Sequence, residues 1–269
     1  MKRKANNLDG SQWLKNSFSI WRNIGKDSNN KSHPAPFPIA LATKVIESYA
    51  SDKNGVVLDP FAGSGSTLLA ALRSGMQAVG LDINSDWRTL FQQRLSLFEI
   101  DNQDWRYEVH DARCMADVLM PGSVELCLTS PPYWDILNRP RSADGKEPKS
   151  YSCDDRDLGN FHDYTEFLVA MGDVAAQVEV ALRDGGYLVL NVMDVRKGST
   201  FYPLHMDVAS MIMERTELSL EDIIIWDRQL DYNGMKPLGF PYKFIINKVH
   251  EYLLVFRRQN GSQDIELDK

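Results

Sequence analysis

Cysteine is scarce in this 269-residue chain, which carries only Cys114, Cys127 and Cys153, with no Cys-x-x-Cys spacing among them. An odd count without metal-ligand spacing excludes a disulfide framework and argues against a zinc site; no metal is expected, and thiols in a reducing, cytoplasmic compartment fit best. No run of about 18 apolar residues is present, and the basic start Met1-Lys2-Arg3-Lys4 leads into no apolar core, so neither a membrane span nor a secretory signal is expected. Positive charge is also in deficit. The 30 Lys and Arg against 37 Asp and Glu give a formal net charge of −7, too few cations for a protein that coats nucleic acid non-specifically. Local basic faces are still available at Lys2-Arg3-Lys4, at Arg139, Arg141, Lys146 and Lys149, and at Arg257-Arg258. Each alone reads equally well as solvated surface.

What is present is regular alternation. At 43% hydrophobic residues the chain is long enough for one sizeable domain. Apolar β-type runs at 56–59, 78–82, 107–110, 124–129, 187–192, 222–226 and 250–256 are separated by helical patterns at 66–74, 86–97, 164–182 and 206–214, with a further helix at 39–49 and a Gly185-Gly186 break before the fifth run. Strand and helix in such succession predict an α/β fold: a mostly parallel sheet of about seven strands, helices on both faces, closing in an antiparallel hairpin. Residues 1–32 read as a polar extension in which Trp13, Phe18, Ile20 and Trp21, at near-helical spacing, dock a short amphipathic segment. A core domain follows over 33–258, and 259–269 reads as a tail. Within the domain, 136–160 is a charged stretch broken by Pro140, Gly145, Pro148 and Gly159, an inserted loop of a length usually tied to function.

Two motifs carry chemistry. Asp59 ends the first core strand and leads through Pro60 and Phe61 into Gly63-x-Gly65, with Ser66 or Thr67 starting a helix. Glycines at a strand-to-helix turn let backbone approach a ligand, and a helix start offers free amides. Asp82 closes the next strand 23 residues after Asp59, where doubly wound nucleotide sites place a carboxylate on ribose hydroxyls. Leu68 stands where a dinucleotide fingerprint needs its third glycine, and no Gly-Lys-Ser/Thr follows, so a cofactor without a phosphate grip fits better than NAD or a nucleoside triphosphate.

The second motif, Ser130-Pro131-Pro132-Tyr133-Trp134, follows the apolar run 124–129. Its prolines stiffen the turn and remove amide donors. The Ser130 side chain and the Pro131 carbonyl are acceptors and Tyr133 and Trp134 aromatic faces, a combination that suits holding one flipped-out base by its exocyclic amine, although the motif alone reads equally as a strand-ending turn or a proline-rich ligand. An aromatic amine is a poor nucleophile because its lone pair is conjugated, so such acceptors favour the attacking form.

Together, Asp-Pro-Phe-Ala-Gly-Ser-Gly-Ser-Thr at 59–67 and Ser-Pro-Pro-Tyr at 130–133 resemble the cofactor and catalytic motifs of S-adenosylmethionine-dependent DNA amino-methyltransferases. The resemblance extends through 191–196, 223–226 and 250–256. It implies a Rossmann-like methyltransferase fold, S-adenosylmethionine bound by Asp59, Phe61, Gly63, Gly65 and Thr67 with Asp82 on its ribose, and Ser130, Pro131, Pro132 and Tyr133 as the catalytic tetrad. His33, Pro36 and Phe37, in a Pro-rich turn before the helix at 39–49, resemble the segment that closes over the cofactor's methionine end. Asp111 is an acceptor for the adenine amine or simply a helix cap. Ser in the first tetrad position is typical of cytosine-N4 enzymes and implies that product; adenine-N6 and RNA guanine-N2 transfer, and a catalytically silent DNA-binding module, are the alternatives. The motif order, glycines before tetrad, departs from a common arrangement and is explained by circular permutation. DNA is the expected partner, reached through Trp134, Arg139 and Arg141, with a cognate restriction endonuclease as a further one. His250 and Glu251 are expected to order the terminal hairpin rather than to catalyse. Asp194 either shapes the base pocket or caps at the surface.

Overall fold

The computed structural model describes residues 4–25, 27, 37–100, 104–138, 151–152, 154–231 and 237–259. After helix α1 (Gly10–Asn16) and strand β1 (Ile20–Trp21), the chain runs α2 (Ile39–Tyr49), β2 (Val56–Asp59), α3 (Ser66–Arg73), β3 (Gln77–Asp82), α4 (Ser85–Leu97), β4 (Trp105–Val109) and β5 (Val124–Thr129). The second half continues with α5 (Tyr164–Ala181), β6 (Leu182–Val192), β7 (Val195–Lys197), β8 (Thr200–Tyr202), α6 (Leu204–Arg215), β9 (Ser219–Asp227) and β10 (His250–Arg257). Eight strands form the main sheet in the order β1-β9-β10-β6-β5-β2-β3-β4, and β7 pairs with β8 as a separate hairpin. Strands β6, β5, β2, β3 and β4 are mutually parallel, whereas β10 runs antiparallel to both β6 and β9.

Burial explains which runs became strands. All six residues of β5 are buried, as expected of a central parallel strand covered on both faces. Alternate residues serve two cores: in β10, Leu254 and Phe256 face the layer built from α5 and α6, while Leu253 and Val255 face α2, α3 and α4. Capping sharpens the helix starts, with the Asp163 side chain accepting from Glu166 N ahead of α5 and the Asn84 side chain accepting from Asp86 N ahead of α4.

Three details differ from the sequence reading. The N-terminal aromatics do not form one amphipathic segment: α1 ends at Asn16, and Ile20 and Trp21 pair in parallel with Ile225 and Trp226, which adds an eighth strand to the expected seven. The Gly185-Gly186 break is a bulge inside β6, where Gly185 adopts φ +69° and the register against β5 jumps between Val124↔Leu182 and Leu126↔Tyr187. The β7–β8 hairpin was not anticipated.

The register matters because β2 lies between β3 and β5, the first strands of the two halves running outward from it. Such a reversal of strand order opens a crevice at the C-terminal ends of the two strands. Asp59 ends one and Thr129 the other.

At the opposite end, Glu125 of β5 ties the bulge to the sheet. It is 2% exposed, is ion-paired to Arg183, and accepts from Ser51 N at 2.8 Å and Asp52 N at 3.2 Å. Burial pushes its carboxyl up, but the Arg183 guanidinium and those amides outweigh it and hold the group at about 2. Glu125→Ala should therefore lower unfolding stability by about 3 kcal/mol in urea titrations at neutral pH, because Arg183 and two amides lose their partner. A folded-state value below the unfolded one stabilises at pH above the ordinary carboxylate range and fades as pH falls toward about 2, so the difference between variant and parent should shrink in acid.

Candidate active site

The glycine turn is held from beneath. Ala62 N donates to Leu81 O at 2.8 Å, Gly63 N donates to Asp82 Oδ2 at 2.9 Å, and the Tyr107 hydroxyl donates to Gly63 O at 2.8 Å. Gly63 and Gly65 adopt φ +49° and +78°, and a Cβ on Gly65 would lie 2.2 Å from the Phe91 ring; the turn excludes side chains there on both counts. Arg94, 1% exposed, donates to Ser64 O at 2.7 Å and approaches Ser66 Oγ at 3.3 Å. It was not singled out in the sequence, where an Arg in an amphipathic helix reads as surface.

Two carboxylates edge the crevice. Asp59, 1% exposed, accepts from Phe61 N at 3.1 Å and from Thr129 Oγ1 at 2.6 Å, which joins the end of β2 to the end of β5. Burial raises it to about 6 despite these donors. Asp82 accepts from Gly63 N, from Asn84 N at 2.9 Å and from the Tyr151 hydroxyl at 2.9 Å; burial pushes it up to about 7. Tyr151, which emerges from the loop after the tetrad, also packs on Trp87 with ring centroids 5.0 Å apart. Through this contact the loop reaches the ribose acceptor expected from the sequence.

Other expected cofactor residues are placed as follows. Phe61 is half-buried beside the α5–α6 core. Thr67 is fully buried, and its hydroxyl turns inward to Leu128 O at 3.4 Å. Phe37 is buried at the start of α2, while His33 and Pro36 lie outside the described residues. Asp111 caps a short 3-10 turn over 112–117 and forms a bidentate pair with Arg113 at 3.0 and 2.7 Å. Burial pushes that carboxyl up, but Arg113 outweighs it and holds the group below its ordinary value. The capping reading is thus realised.

Ser130 follows β5 directly, so the tetrad stands beside the glycine turn at the same sheet edge. Ser130 Oγ is 3.1 Å from the Tyr133 hydroxyl. That hydroxyl donates to Glu251 Oε2 at 2.8 Å, and Asn191 Nδ2 donates to Tyr133 at 2.9 Å and to Glu251 at 2.6 Å. Burial first, and then the charge of Glu251, push the Tyr133 phenol well above its ordinary value, so it keeps its proton. Trp134 is 4% exposed, has φ +56°, and packs on Tyr164 and Tyr202 with Lys197 Nζ 3.5 Å from its ring. The DNA-facing surface expected of it is taken up by this packing. Arg139 and Arg141 lie outside the described residues.

Asn191 was missed as a site residue, and Glu251 was expected only to order the hairpin. One signal was legible, a lone carboxylate inside the apolar run of β10. Asp194 is 5% exposed, bonds His205 Nδ1 at 2.6 Å and accepts from His205 N at 3.4 Å in the first turn of α6, so it caps from a buried position rather than at the surface. Among the described residues no cluster of His, Cys, Asp and Glu is arranged to hold a metal, and none has a helix long and apolar enough to cross a membrane.

A five-stranded parallel array flanked by an antiparallel β10, with a glycine turn and a proline-stiffened tetrad at one switch point, is the Rossmann-like fold of S-adenosylmethionine-dependent methyltransferases. A family model described as DNA methylase matches residues 1–93 and 124–266, and the chain belongs to this family of N4/N6 amino-methyltransferases. Among curated proteins it is 40% identical over 86 residues to the putative methylase YubD of Escherichia coli, covering 30% of this chain and 37% of that protein. It is 38% identical over 88 residues to the type II methyltransferase M.ScaI of Streptomyces caespitosus, covering 30% and 29%. It is 37% identical over 67 residues to the DNA adenine methyltransferase YhdJ of Escherichia coli, covering 25% and 22%. These matches span about a third or less of each relative. In fold it is similar to TrmN from Thermus thermophilus, with a TM-score of 0.50 and 15% identity over 82% of this chain and 48% of that one.

The residues present fit the cofactor: a buried carboxylate at the end of β3, bonded to the glycine turn, suits a nucleoside with free ribose hydroxyls. Such hydroxyls donate best to an ionised acceptor. Because Asp82 sits near 7, S-adenosylmethionine affinity measured by calorimetry should weaken by up to about tenfold per pH unit below that point. Asp82→Asn should bind weakly and lose this pH dependence.

Proposed function

We propose that the chain transfers the methyl group of S-adenosylmethionine to the exocyclic N4 amine of cytosine in DNA. The observation that carries this reading is Ser130 at the switch point, following β5 directly and bonded to Tyr133. The cofactor supplies an electrophilic methyl group on a sulfonium. The protein's own part is alignment: Ser130 Oγ and the Pro131 carbonyl hold the amine hydrogens, and the Tyr133 ring supports the base. A serine in the first tetrad position supports cytosine, while the likeness to an adenine methyltransferase over 67 residues keeps adenine as the second reading.

DNA as substrate is supported by what surrounds the tetrad. The β7–β8 hairpin leaves the C-terminal end of β6, and the described residues 237–249 lead into the start of β10, beside the C-terminal end of β9, so both stand at the edge that carries Ser130. Phe240, Tyr242 and Phe244 on that segment are 78%, 95% and 91% exposed. Cations interleave with aromatics here: Lys248 Nζ and the Arg196 guanidinium stand 4.8 and 5.4 Å from the Phe201 ring, and Lys243 is exposed. A protein of net charge −7 with such a local face fits a polyanion carrying stackable bases.

Labelled S-adenosylmethionine and unmethylated genomic DNA should yield N4-methylcytosine on nucleoside mass spectrometry; N6-methyladenine would overturn the base, and no methylated DNA would overturn the substrate. Ser130→Ala should cut turnover by about 10²-fold or more while cofactor affinity stays within a few fold. Lys243→Gln with Lys248→Gln should weaken DNA binding and lower the slope of log K against log salt by about one for each phosphate that is no longer neutralised.

A further inference from the structure

Glu251 occupies a strand otherwise rich in apolar side chains, yet it is 3% exposed and has both oxygens engaged. One is ion-paired to Arg228. The other accepts from the Tyr133 hydroxyl and from Asn191 Nδ2. An ionised carboxylate only accepts hydrogen bonds, and a phenol has one proton to give. With that proton committed to Glu251, Tyr133 can only accept from Ser130, whose oxygen is 3.1 Å away. The Ser130 proton is thereby drawn toward the protein, leaving the serine oxygen with lone pairs to offer. Asn191 Nδ2, 3.4 Å from Ser130 Oγ, is anchored by the same carboxylate, and its buried Oδ1 has no hydrogen-bond partner. A buried acceptor left open beside the tetrad calls for a donor.

We infer that Glu251 is a positioning residue for methyl transfer: through Tyr133 it fixes Ser130 as a hydrogen-bond acceptor for the substrate amine, and it ends the path by which the amine proton departs. This rests on the reading that Ser130 meets the amine. As the amine nitrogen bonds to the methyl carbon, the carbon–sulfur electron pair stays with sulfur and the nitrogen becomes cationic. One N–H proton then passes to Ser130 Oγ as the Ser130 proton moves to Tyr133 and the Tyr133 proton to Glu251 Oε2. The methylated amine ends neutral, and Glu251 later releases the proton to water.

Three variants test this with unmethylated genomic DNA as acceptor: Glu251→Gln, Tyr133→Phe and the double variant. Each single change should lower kcat by at least about tenfold, with KM for DNA and S-adenosylmethionine affinity within about threefold. The double variant should be no slower than the worse single one, because both cut one chain. In protein labelled at tyrosine Cζ, the Tyr133 resonance, assigned through Tyr133→Phe, should shift in Glu251→Gln. Wild-type kcat in Tyr133→Phe, additive losses, or a loss confined to cofactor affinity would each overturn the inference. If Glu251→Gln does not fold, Tyr133→Phe decides alone, since it keeps the ring and removes only the hydroxyl. A wild-type protein that methylates no DNA would overturn the proposed function as well, whereas an active wild type with unimpaired variants would overturn only the role of Glu251.

Discussion

The hydrogen bond from Thr129 to Asp59, 2.6 Å long and buried, joins the two strands between which the sheet reverses its order. Everything chemical is hung from this seam. Asp59 begins the turn that carries Gly63 and Gly65, and Thr129 is followed at once by the tetrad, so one hydrogen bond sets the spacing between the glycine turn and the tetrad. The seam holds because both strands are buried on both faces. A side chain cannot shift there without disturbing two packed cores, and interiors packed to crystal-like density transmit such shifts rather than absorb them.

Buried carboxylates divide by what answers their charge. Glu125 and Glu251 each face a guanidinium, Arg183 and Arg228, and serve as fixed acceptors around which backbone amides, a phenol and an amide side chain are organised. Asp59 and Asp82 receive amide and hydroxyl donors instead, and burial leaves them near 6 and 7. These two carboxylates edge the crevice, where a sulfonium-bearing ligand would favour their charged forms. Of the ion-paired ones, Glu125 lies at the bulge, at the far end of the sheet, and Glu251 lies behind the tetrad.

Central strands were legible in the sequence because burial on both faces writes them as unbroken apolar runs: 56–59 and 124–129 match β2 and β5 to the residue. The helix at 39–49 was equally plain, and turn glycines betrayed the crevice through their spacing. Short edge elements were not. A two-residue β1 and three-residue β7 and β8 are too brief to show a period; β1 exists because of Ile225 and Trp226 far along the chain, and β7 and β8 exist only by pairing with each other. Gly185-Gly186 read as a break because glycine weakens strands, yet β5 on one side and β10 on the other carry β6 through it as a bulge.

Local properties were enough to specify the class of fold, the glycine turn and the tetrad's place after β5: φ freedom at glycine, rigidity at proline and apolar periodicity all act within a few residues. The groups that surround Ser130 and Tyr133 were selected by long-range packing instead. Glu251 is 118 residues from Tyr133, and Asn191 is 61 from Ser130; they meet because β10 returns antiparallel beside β6, and β6 lies beside β5. Trp134 was turned from an expected DNA wall into core in the same way, by Tyr164 and Tyr202 arriving from other elements. Hydrogen-bond direction and burial are properties of neighbours, and neighbours across a sheet are chosen by topology rather than by any stretch of sequence.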